Sequence, residues 1–350
     1  MASLRNTRVI WLLLLCGSLV LVCLPRFNRH TIDLSSMTGG RQPSYRVNTD
    51  STQYVLLTRF FRNQAVEEEL QSPYTYRPVV PFLASLLPFE PLTAINLVDL
   101  GALLVALLFL YKILDRLELG FSLCMAGCGL FVFSFPTFYY GTIGYVDPVL
   151  VAFLMMGLYY ILTERWAIFA LVFATGTLAK ETIFVLLPVL AAYLIQQRKP
   201  WKEQLLLLSL LCLAFVAISY FARVLSPDQK PYGWLPSFDY LLFNAARPRC
   251  WISSVLSFGI PGFLSLTIFL DRKRWPFRET FHRLGPFMVG FLTTVAVFGY
   301  SMFSVYLDGR YIWISYPFSI PLAAVVLRQL LQEGKLRPEH LTLKIPLKLP

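Results

Sequence analysis

Apolar residues recur along this chain in long runs, separated by short stretches where polar and charged residues gather. Most of these runs approach the roughly 20 residues that a helix needs to cross about 30 Å of hydrocarbon. A membrane β-barrel would instead show short segments of alternating apolar and polar residues. The pattern predicts ten membrane-spanning helices, at about residues 9–24, 92–114, 120–139, 148–163, 166–179, 182–197, 204–224, 251–270, 285–306 and 311–330.

Composition supports an all-α, polytopic membrane fold. Of the 350 residues 56% are hydrophobic and 15% charged, against about 25% charged in soluble domains, and the mean hydropathy is +0.59. The six cysteines lie in or beside apolar runs, so we interpret them as small membrane-embedded residues rather than metal ligands or disulfides. We expect one transmembrane domain over residues 1–330 and a basic cytoplasmic tail over residues 331–350.

The basic residues predict the orientation. With a cytoplasmic N-terminus, 18 of the 31 Lys and Arg fall on the cytoplasmic side, and the short outer loops hold only Lys180 and Arg310. Ten of the other eleven lie on two long outer segments, residues 25–91 and 225–250, and Arg223 adjoins the second. Long segments translocate largely regardless of charge. Both termini are therefore expected in the cytoplasm. This distribution also explains the net charge of +11 without a nucleic-acid partner.

Residues 166–197 can be read either as one helix or as a short hairpin around Lys180 and Glu181. Each arm of a hairpin would be shorter than the bilayer at 1.5 Å per residue. A single helix, however, would turn the basic cluster at residues 272–283 outward, against the positive-inside rule. We therefore predict the hairpin, with Lys180 and Glu181 in a recess below the outer surface.

Under this topology the charged residues that are unusual for a membrane protein collect on the outer side. Most have a structural explanation as well: Asp147 precedes Pro148 as a helix N-cap would. Lys180 and Glu181 suit a solvated loop tip, and the pair around Gly309 suits a tight turn. The set comprises Asp33, Asp50, Arg77, Asp147, Lys180, Glu181, Asp308 and Arg310.

Asp99 stands apart because the sequence places it about 10 Å inside the second predicted span, by helical rise. An ionisable group in hydrocarbon is costly and is a functional candidate by default. An interhelical hydrogen bond is the competing explanation. Convergence of Arg and Lys on one outer recess would suit a phosphate, and a carboxylate beside it could deprotonate an acceptor hydroxyl.

Several segments, in their order and spacing, resemble the GT-C class of membrane glycosyltransferases over about residues 45–195. They are PYTYRPVVPFLASLLP at residues 73–88, GYVDP at 144–148 and LAKET at 178–182, with weaker likeness in DGRY at 308–311 and in Tyr316 and Pro317. Members of that class have eight or more spans and take a sugar from a polyprenyl phosphate, with inversion at the anomeric carbon. They place a catalytic Asp in the first outer loop.

The resemblance therefore implies a hexosyltransferase-type enzyme whose base is Asp50 or Asp33. Asp50 is preferred because it begins a helix-like stretch at residues 50–63. The acceptor would be a hydroxyl of a glycan, lipid or protein. The resemblance further implies that the donor phosphate is held by Arg77, Lys180 and Arg310, and that the pocket is shaped by Tyr76, Asp99, Asp147 and Glu181.

The chain departs from this class in two respects. Many members carry an Asp-x-Asp, Asp-Glu or Glu-Asp pair in the first outer loop, whereas this chain has isolated aspartates there, which leaves Mg²⁺ or Mn²⁺ dependence open. It also lacks the large soluble C-terminal domain of longer members. The absence of N-glycosylation sequons and of a C-terminal retention signal favours a bacterial plasma membrane over the endoplasmic reticulum.

Three other functions remain open from the sequence, and a fourth, a membrane O-acyltransferase, is disfavoured. A transporter or flippase would use broken helices and internal repeats; prolines occur within spans, but no repeat is found. A polysaccharide polymerase would suit outer loops that carry Arg247 and Arg249. A membrane O-acyltransferase needs an embedded His, whereas the three histidines lie in loops or the tail. A non-enzymatic scaffold would tolerate substitution at each outer charged residue.

Overall fold

A computed structural model describes residues 2–27, 50–64, 70–226 and 236–334 of the chain. Within them the predicted all-helical fold is confirmed, because the regular elements are α-helices and short 3₁₀ turns. We number the helices α1 Ala2–Cys23, α2 Asp50–Phe61, α3 Val79–Ser85, α4 Pro91–Arg116, α5 Phe121–Val132, α6 Phe135–Tyr140, α7 Asp147–Leu162, α8 Trp166–Ala179, α9 Leu186–Gln196, α10 Trp201–Val224, α11 Phe238–Ala246, α12 Pro248–Leu270, α13 Phe277–Ser304, α14 Arg310–Trp313 and α15 Tyr316–Gln332.

Among the described residues, five helical segments are long and apolar enough to cross a membrane: Thr7–Arg26, α4, α10, α12 and α13. The helix α10 has Leu211 as its one buried residue, and large side chains such as Leu206, Leu213 and Phe221 are about 60% exposed or more. Such an apolar outer surface is expected where lipid replaces water. The structure thus supports an integral membrane protein, while the count of ten spans stays a prediction.

Loop contacts define two ends of the helix bundle. At one end Arg116 Nε donates to the carbonyl of Leu162 at 3.0 Å, and Arg274 pairs with Glu333. We call this the basic end, because it gathers residues from the segments predicted to be cytoplasmic. At the other end the first residue of α7, Asp147, meets Lys180 at the end of α8; we call this the site end.

Two predicted spans are each divided in two. The span predicted at 120–139 becomes α5 and α6, because Ser134 takes an extended conformation and caps α6 through Thr137 N, with Pro136 in the first turn. The span predicted at 311–330 becomes α14 and α15, divided at Ile314 and Ser315. Both divisions precede a proline in the new helix's first turn, a position where its missing N–H costs nothing.

Residues 166–197 do not form one helix. The helix α8 ends at Ala179, Lys180 is fully extended, and a 3₁₀ turn at Glu181–Val185 leads into α9. With 14 residues, α8 spans about 21 Å at 1.5 Å per residue. The reversal therefore places Lys180 inside the bundle at the site end, where it is 7% exposed.

The short helices α2 and α3 pack against the site end of α4. In α2 the buried residues include Gln53, Tyr54 and Leu57. Arg62, just after α2, donates from Nη2 to the carbonyls of Ala84 and Leu87 at 3.0 and 2.8 Å. These bonds fix α2, and with it Asp50, relative to the membrane helices.

Candidate functional site

Seven charged side chains from five separate parts of the chain meet at the site end, and we call them the charge cluster. They come from the start of α2, the segment before α3, the start of α7, the α8–α9 turn and the start of α14. Each has an oppositely charged partner within 4.0 Å. The cluster consists of Asp50, Arg77, Asp147, Lys180, Glu181, Asp308 and Arg310.

Arg310 occupies the centre of the cluster and is 7% exposed. Its Nη1 forms an ion pair with Asp50 Oδ2, and its Nε lies 3.4 Å from Asp308 Oδ1. Tyr74 donates its hydroxyl to the second oxygen of Asp50 at 2.9 Å. Both oxygens of Asp50 are therefore held, and the side chain keeps 21% exposure.

Lys180 and Asp147 form the most deeply buried pair. Lys180 Nζ donates to Asp147 Oδ1 at 2.6 Å, and the two side chains are 9% and 2% exposed. The other oxygen of Asp147 lies 4.0 Å from Arg310 Nη1. Arg310 thus joins this pair to Asp50, so that the two carboxylates face a common cation.

Arg77 and Glu181 form a third pair, with Arg77 Nε 3.1 Å from Glu181 Oε2. Arg77 Nη1 also donates to the hydroxyl of Tyr54 at 3.2 Å. The Tyr54 ring meets that of Tyr74 edge to face at 5.5 Å, and Tyr74 binds Asp50. The segment that resembles the GT-C class is therefore connected to Asp50 by two tyrosines.

Aromatic faces surround the cations of the cluster. The Arg310 guanidinium lies 4.5 Å from the ring centre of Tyr145 and 5.0 Å from that of Tyr311, and Lys180 Nζ lies 5.6 Å from the Tyr311 ring. Such contacts stabilise a cation where water is scarce. Tyr54, Tyr74, Tyr145 and Tyr311 were not predicted as site residues, although the last three lie in the segments that resemble the GT-C class. Two of them had a signal: Tyr54 is one helical turn after Asp50, and Tyr311 directly follows Arg310.

The two aspartates beside Arg310 differ in acidity. Burial raises the pKa of Asp50, but the charge and hydrogen bond of Arg310 and the Tyr74 hydroxyl outweigh it, so the net shift is downward. Burial likewise raises the pKa of Asp308, and there Arg310 offsets only part of the effect. Asp50 is thus held as a carboxylate at neutral pH, while Asp308 is the member of the pair that more readily takes a proton.

The arginines keep their charge. Burial lowers the pKa of Arg77, but Glu181 and Tyr54 raise it by more, so the net pKa lies above its ordinary value. Arg310 behaves in the same way through Asp50 and Asp308. The two arginines therefore stay charged, whereas burial lowers the pKa of Lys180 and Asp147 offsets only part of that effect. Changes in the cluster's charge fall on its carboxylates and on Lys180.

Three residues predicted for the site lie elsewhere or outside the described part of the chain. Tyr76 shares a hydrogen bond with Ser72 at 2.8 Å, and the guanidinium of Arg223 lies over its ring, so it borders the cluster. Asp99 is completely buried in α4, and both its oxygens lack a hydrogen-bond partner among the described residues. Asp33 falls outside the described residues.

Two structural explanations given by the sequence are wrong. Asp147 does not cap α7: the N-cap is Val146, and Asp147 is the first helical residue with its carboxylate on Lys180. Lys180 is no solvated loop tip, since the shortness of α8 and α9 draws it into the bundle. In both cases the ion pair between them replaces the local role, because two buried charges are far less costly together than apart.

A metal site is not evident in the described ranges, where no three His, Cys, Asp or Glu side chains are grouped to hold an ion. The carboxylates of the charge cluster are each engaged by Arg or Lys instead. The six cysteines are all free thiols, as the sequence predicted.

Comparisons with known proteins do not identify this chain. Searches against protein-family models, curated proteins and solved structures find no match. The likeness to the GT-C class consequently rests on the segments of the sequence quoted above. What the described residues give independently is a helical membrane protein with a buried, interconnected charge cluster at one end of its bundle.

Proposed function

We propose that the chain is a membrane glycosyltransferase of the GT-C type, which moves a sugar from a polyprenyl phosphate to an acceptor hydroxyl at the site end. The observation that carries this proposal is the placement of Asp50. Its carboxylate stays partly exposed beside Arg310, with the buried Lys180 and Arg77 in the same network. A base beside fixed cations is what displacement of a sugar from a phosphate requires.

In the proposed reaction the acceptor oxygen attacks the anomeric carbon as its proton passes to Asp50. The bond between that carbon and the phosphate oxygen breaks, and the electron pair leaves with the polyprenyl phosphate. Arg310 and Lys180 stabilise the charge that develops on the phosphate. Attack opposite to the leaving group inverts the anomeric configuration, and no acid is needed because the phosphate is already a good leaving group.

To bind the donor, the cations of the cluster must interact with its phosphate as well as with their present carboxylate partners. The cluster's four carboxylates outnumber its three cations, so an incoming phosphate meets no excess positive charge. A phosphate that engages Arg310 would take part of that cation's interaction from Asp50, and the carboxylate would become a stronger base. Protonation of Asp308, whose pKa burial raises, would offset the added negative charge.

The distribution of Lys and Arg between the two ends of the bundle indicates its orientation in the membrane. The site end would face the outside of a bacterial plasma membrane, and both termini would lie in the cytoplasm, because the basic end carries the Lys and Arg that the positive-inside rule assigns there. A divalent metal has no ligand set among the described carboxylates.

The test is a transfer assay with the full chain in liposomes. Synthetic polyprenyl-phosphate-linked hexoses are supplied with a mixture of glycan and lipid hydroxyl acceptors. We expect equal amounts of free polyprenyl phosphate and of inverted glycoside. Failure to form either product with any hexose donor tested, by a chain that is folded and correctly inserted, would refute the proposal. Extension of a lipid-linked glycan by many units would favour a polymerase.

Replacement of Tyr74 with Phe is expected to move the acidic limb of the transfer–pH profile to higher pH. The hydroxyl donates to Asp50 at 2.9 Å. Burial raises the pKa of Asp50, and Arg310 and this hydrogen bond lower it, so removing the bond raises it. A base must be deprotonated to act, and activity is then lost at a higher pH as the solution is acidified.

The matched control for this profile is Tyr306→Phe. Tyr306 is 57% exposed and contacts Tyr240 and Phe243 through its ring, which Phe retains. The acidic limb of the transfer–pH profile of Tyr306→Phe should coincide with that of the wild type. An unchanged limb in Tyr74→Phe, or a shift to lower pH, would show that Asp50 is not the group whose ionisation limits the rate.

A transporter or flippase is the second candidate, and the shape of α12 favours it. The helix is broken at Gly259, whose φ of 54° is a conformation that glycine adopts without strain. Pro261, two residues later, lacks the N–H that a continuous helix would use. Transporters use such broken helices, and buried Asp99 is the kind of group that moves protons. Movement of a solute across liposomes without glycoside formation would select this function.

A further inference from the structure

At the basic end, away from the charge cluster, lies a cavity of about 750 Å³. It opens between the α4–α5 turn, the segment before α13 and the last turns of α15. Its size falls within the range of small-ligand sites. We call it the basic-end cavity, and its lining includes Arg274, Trp275, Arg283, Leu284, Val325 and Arg328.

Two of its three arginines are free to bind an anion. Arg274 is engaged by Glu333 at 2.9 Å, so it serves the structure. Arg328 donates from Nη1 to the neutral carbonyl of Glu118 at 3.3 Å. Neither Arg283 nor Arg328 has a carboxylate within 4.0 Å in the part of the chain that the structure describes. The lining also contains two carboxylates: Glu333, which pairs with Arg274, and Glu279. Three arginines against two glutamates leave a net charge of +1 on the lining. The two guanidinium groups without a carboxylate partner favour a phosphate, which Arg binds through paired hydrogen bonds.

Trp275 supplies a second, independent indication. Its side chain lines the cavity and the residue is 8% exposed. Its indole Nε1 is buried without a hydrogen-bond partner among the described residues. A buried Trp N–H normally finds an acceptor, and an oxygen of a ligand in the cavity would provide one. The first turn of α13, at Phe277–Glu279, adds backbone N–H groups at the same cavity.

The cavity's position points to the source of the phosphate. It lies beside the last turn of α4 and the first turns of α13, both long and apolar enough to cross a membrane, and the phospholipid headgroups of a bilayer spanned by these helices would lie near their ends. The apolar side chains of Leu117, Leu119, Leu284 and Val325 share the lining with the arginines, so they can contact the first carbons of an acyl chain. Basic recesses between helices at the cytoplasmic face are suited to anionic headgroups.

We propose that the basic-end cavity binds the phosphate headgroup of an anionic phospholipid through Arg283, Arg328 and the Trp275 indole N–H. This site is separate from the charge cluster, and it does not depend on the function proposed for that cluster. The lipid serves as a bound component of the protein at this end, and the proposal assigns it no chemical step.

The test measures lipid binding to the full chain, purified in neutral detergent and stripped of lipid. Phosphatidylglycerol is titrated and bound lipid is counted by native mass spectrometry, with phosphatidylcholine and inorganic phosphate as parallel arms. We expect one saturable phosphatidylglycerol site. In the double variant Arg283→Gln/Arg328→Gln its affinity should fall at least about tenfold, from the loss of two charge-assisted hydrogen bonds. Trp275→Phe should also weaken it.

The matched control is Arg272→Gln/Lys273→Gln. It removes two positive charges from exposed positions in the neighbouring turn that do not line the cavity. Its affinity should stay within about twofold of the wild type, since surface charges act diffusely. Equal losses in both double variants, or no loss with Trp275→Phe, would overturn the site. Inorganic phosphate that binds as tightly as the lipid would overturn the assignment to a lipid headgroup.

Discussion

Replacement of Asp50 with Asn should slow sugar transfer by about a thousandfold, within the range of about 10²–10⁴ that general acid–base catalysis contributes. Asn keeps the shape of the side chain but cannot accept the proton of an acceptor hydroxyl. The hydrogen bond from Tyr74 can still be made to the amide oxygen. The variant therefore removes the base while it retains most of the geometry.

Stability should change less than rate in this variant. Arg310, which loses an ion pair with Asp50, still has Asp308 at 3.4 Å and Asp147 at 4.0 Å. Its charge is therefore not left isolated, as it would be if it had a single partner. The comparison of transfer rate with the midpoint of unfolding in detergent separates a lost base from a lost fold.

A suitable control is Asp239→Asn. Asp239 is an exposed carboxylate in the first turn of α11, it forms no ion pair in the described structure, and it is predicted to share the outer side with Asp50. Its transfer rate should equal that of the wild type. Asp50→Asn at more than a tenth of the wild-type rate, with normal insertion, would remove Asp50 as the base and leave Asp33 as the sequence-derived alternative.

The predictions from sequence that hold best concern positions where the physics is local. The helix predicted to begin at Asp50 is α2, and the reversal predicted at Lys180 and Glu181 is present. At Asp50 a carboxylate in the first turn of α2 favours the start of a helix. At Lys180 hydrocarbon penalises continuation of a helix that would expose its charge to lipid. The bounds of α4, α7 and α8 follow for the same reason.

The breaks in two predicted spans were harder to recognise. Pro136 and Pro317 lie within apolar runs, and hydropathy alone cannot tell a kinked helix from a new one. The structure starts a new helix at each, since proline fits the first turn of a helix better than its interior. The break before α15 determines the site: it leaves α14 as a separate turn that directs Arg310 towards Asp50.

The partners of the charged residues could not be predicted from the sequence. Asp50 and Arg310 are 260 residues apart, and nothing in their local sequence encodes their contact. Asp147 was interpretable as a cap because only the three-dimensional packing brings Lys180 beside it. Pairing of this kind depends on how whole helices pack, whereas capping and hydropathy depend on neighbours in sequence.

Replacement of Lys180 with Met is expected to lower the free energy of unfolding by about 3–5 kcal/mol, the usual cost of breaking a buried ion pair by removing one partner. Asp147 is 2% exposed on its side chain, and Arg310 at 4.0 Å is too distant to replace the 2.6 Å bond. The stranded carboxylate must then be ionised without compensation or take a proton. The measurement is reversible unfolding in mixed micelles.

The chain supplies a matched exposed pair. Lys199 lies 3.1 Å from Glu164 at the basic end, and these side chains are 35% and 38% exposed. Lys199→Met removes the same group, yet solvent can hydrate the remaining carboxylate. Its cost should be at most about 1 kcal/mol, the range of surface ion pairs. Equal costs for the two variants would mean that burial does not govern the energy of the Lys180 pair.

A second change distinguishes a stranded charge from lost packing. In the double variant Lys180→Met/Asp147→Asn no carboxylate is left unpaired, so much of the lost stability should return, because paired replacement of buried ions is often close to neutral. If Lys180 also holds the donor phosphate, sugar transfer should not return with it. If both stability and transfer return, Lys180 has a structural role only. If neither returns, the methionine side chain itself disturbs the packing around α7 and α8.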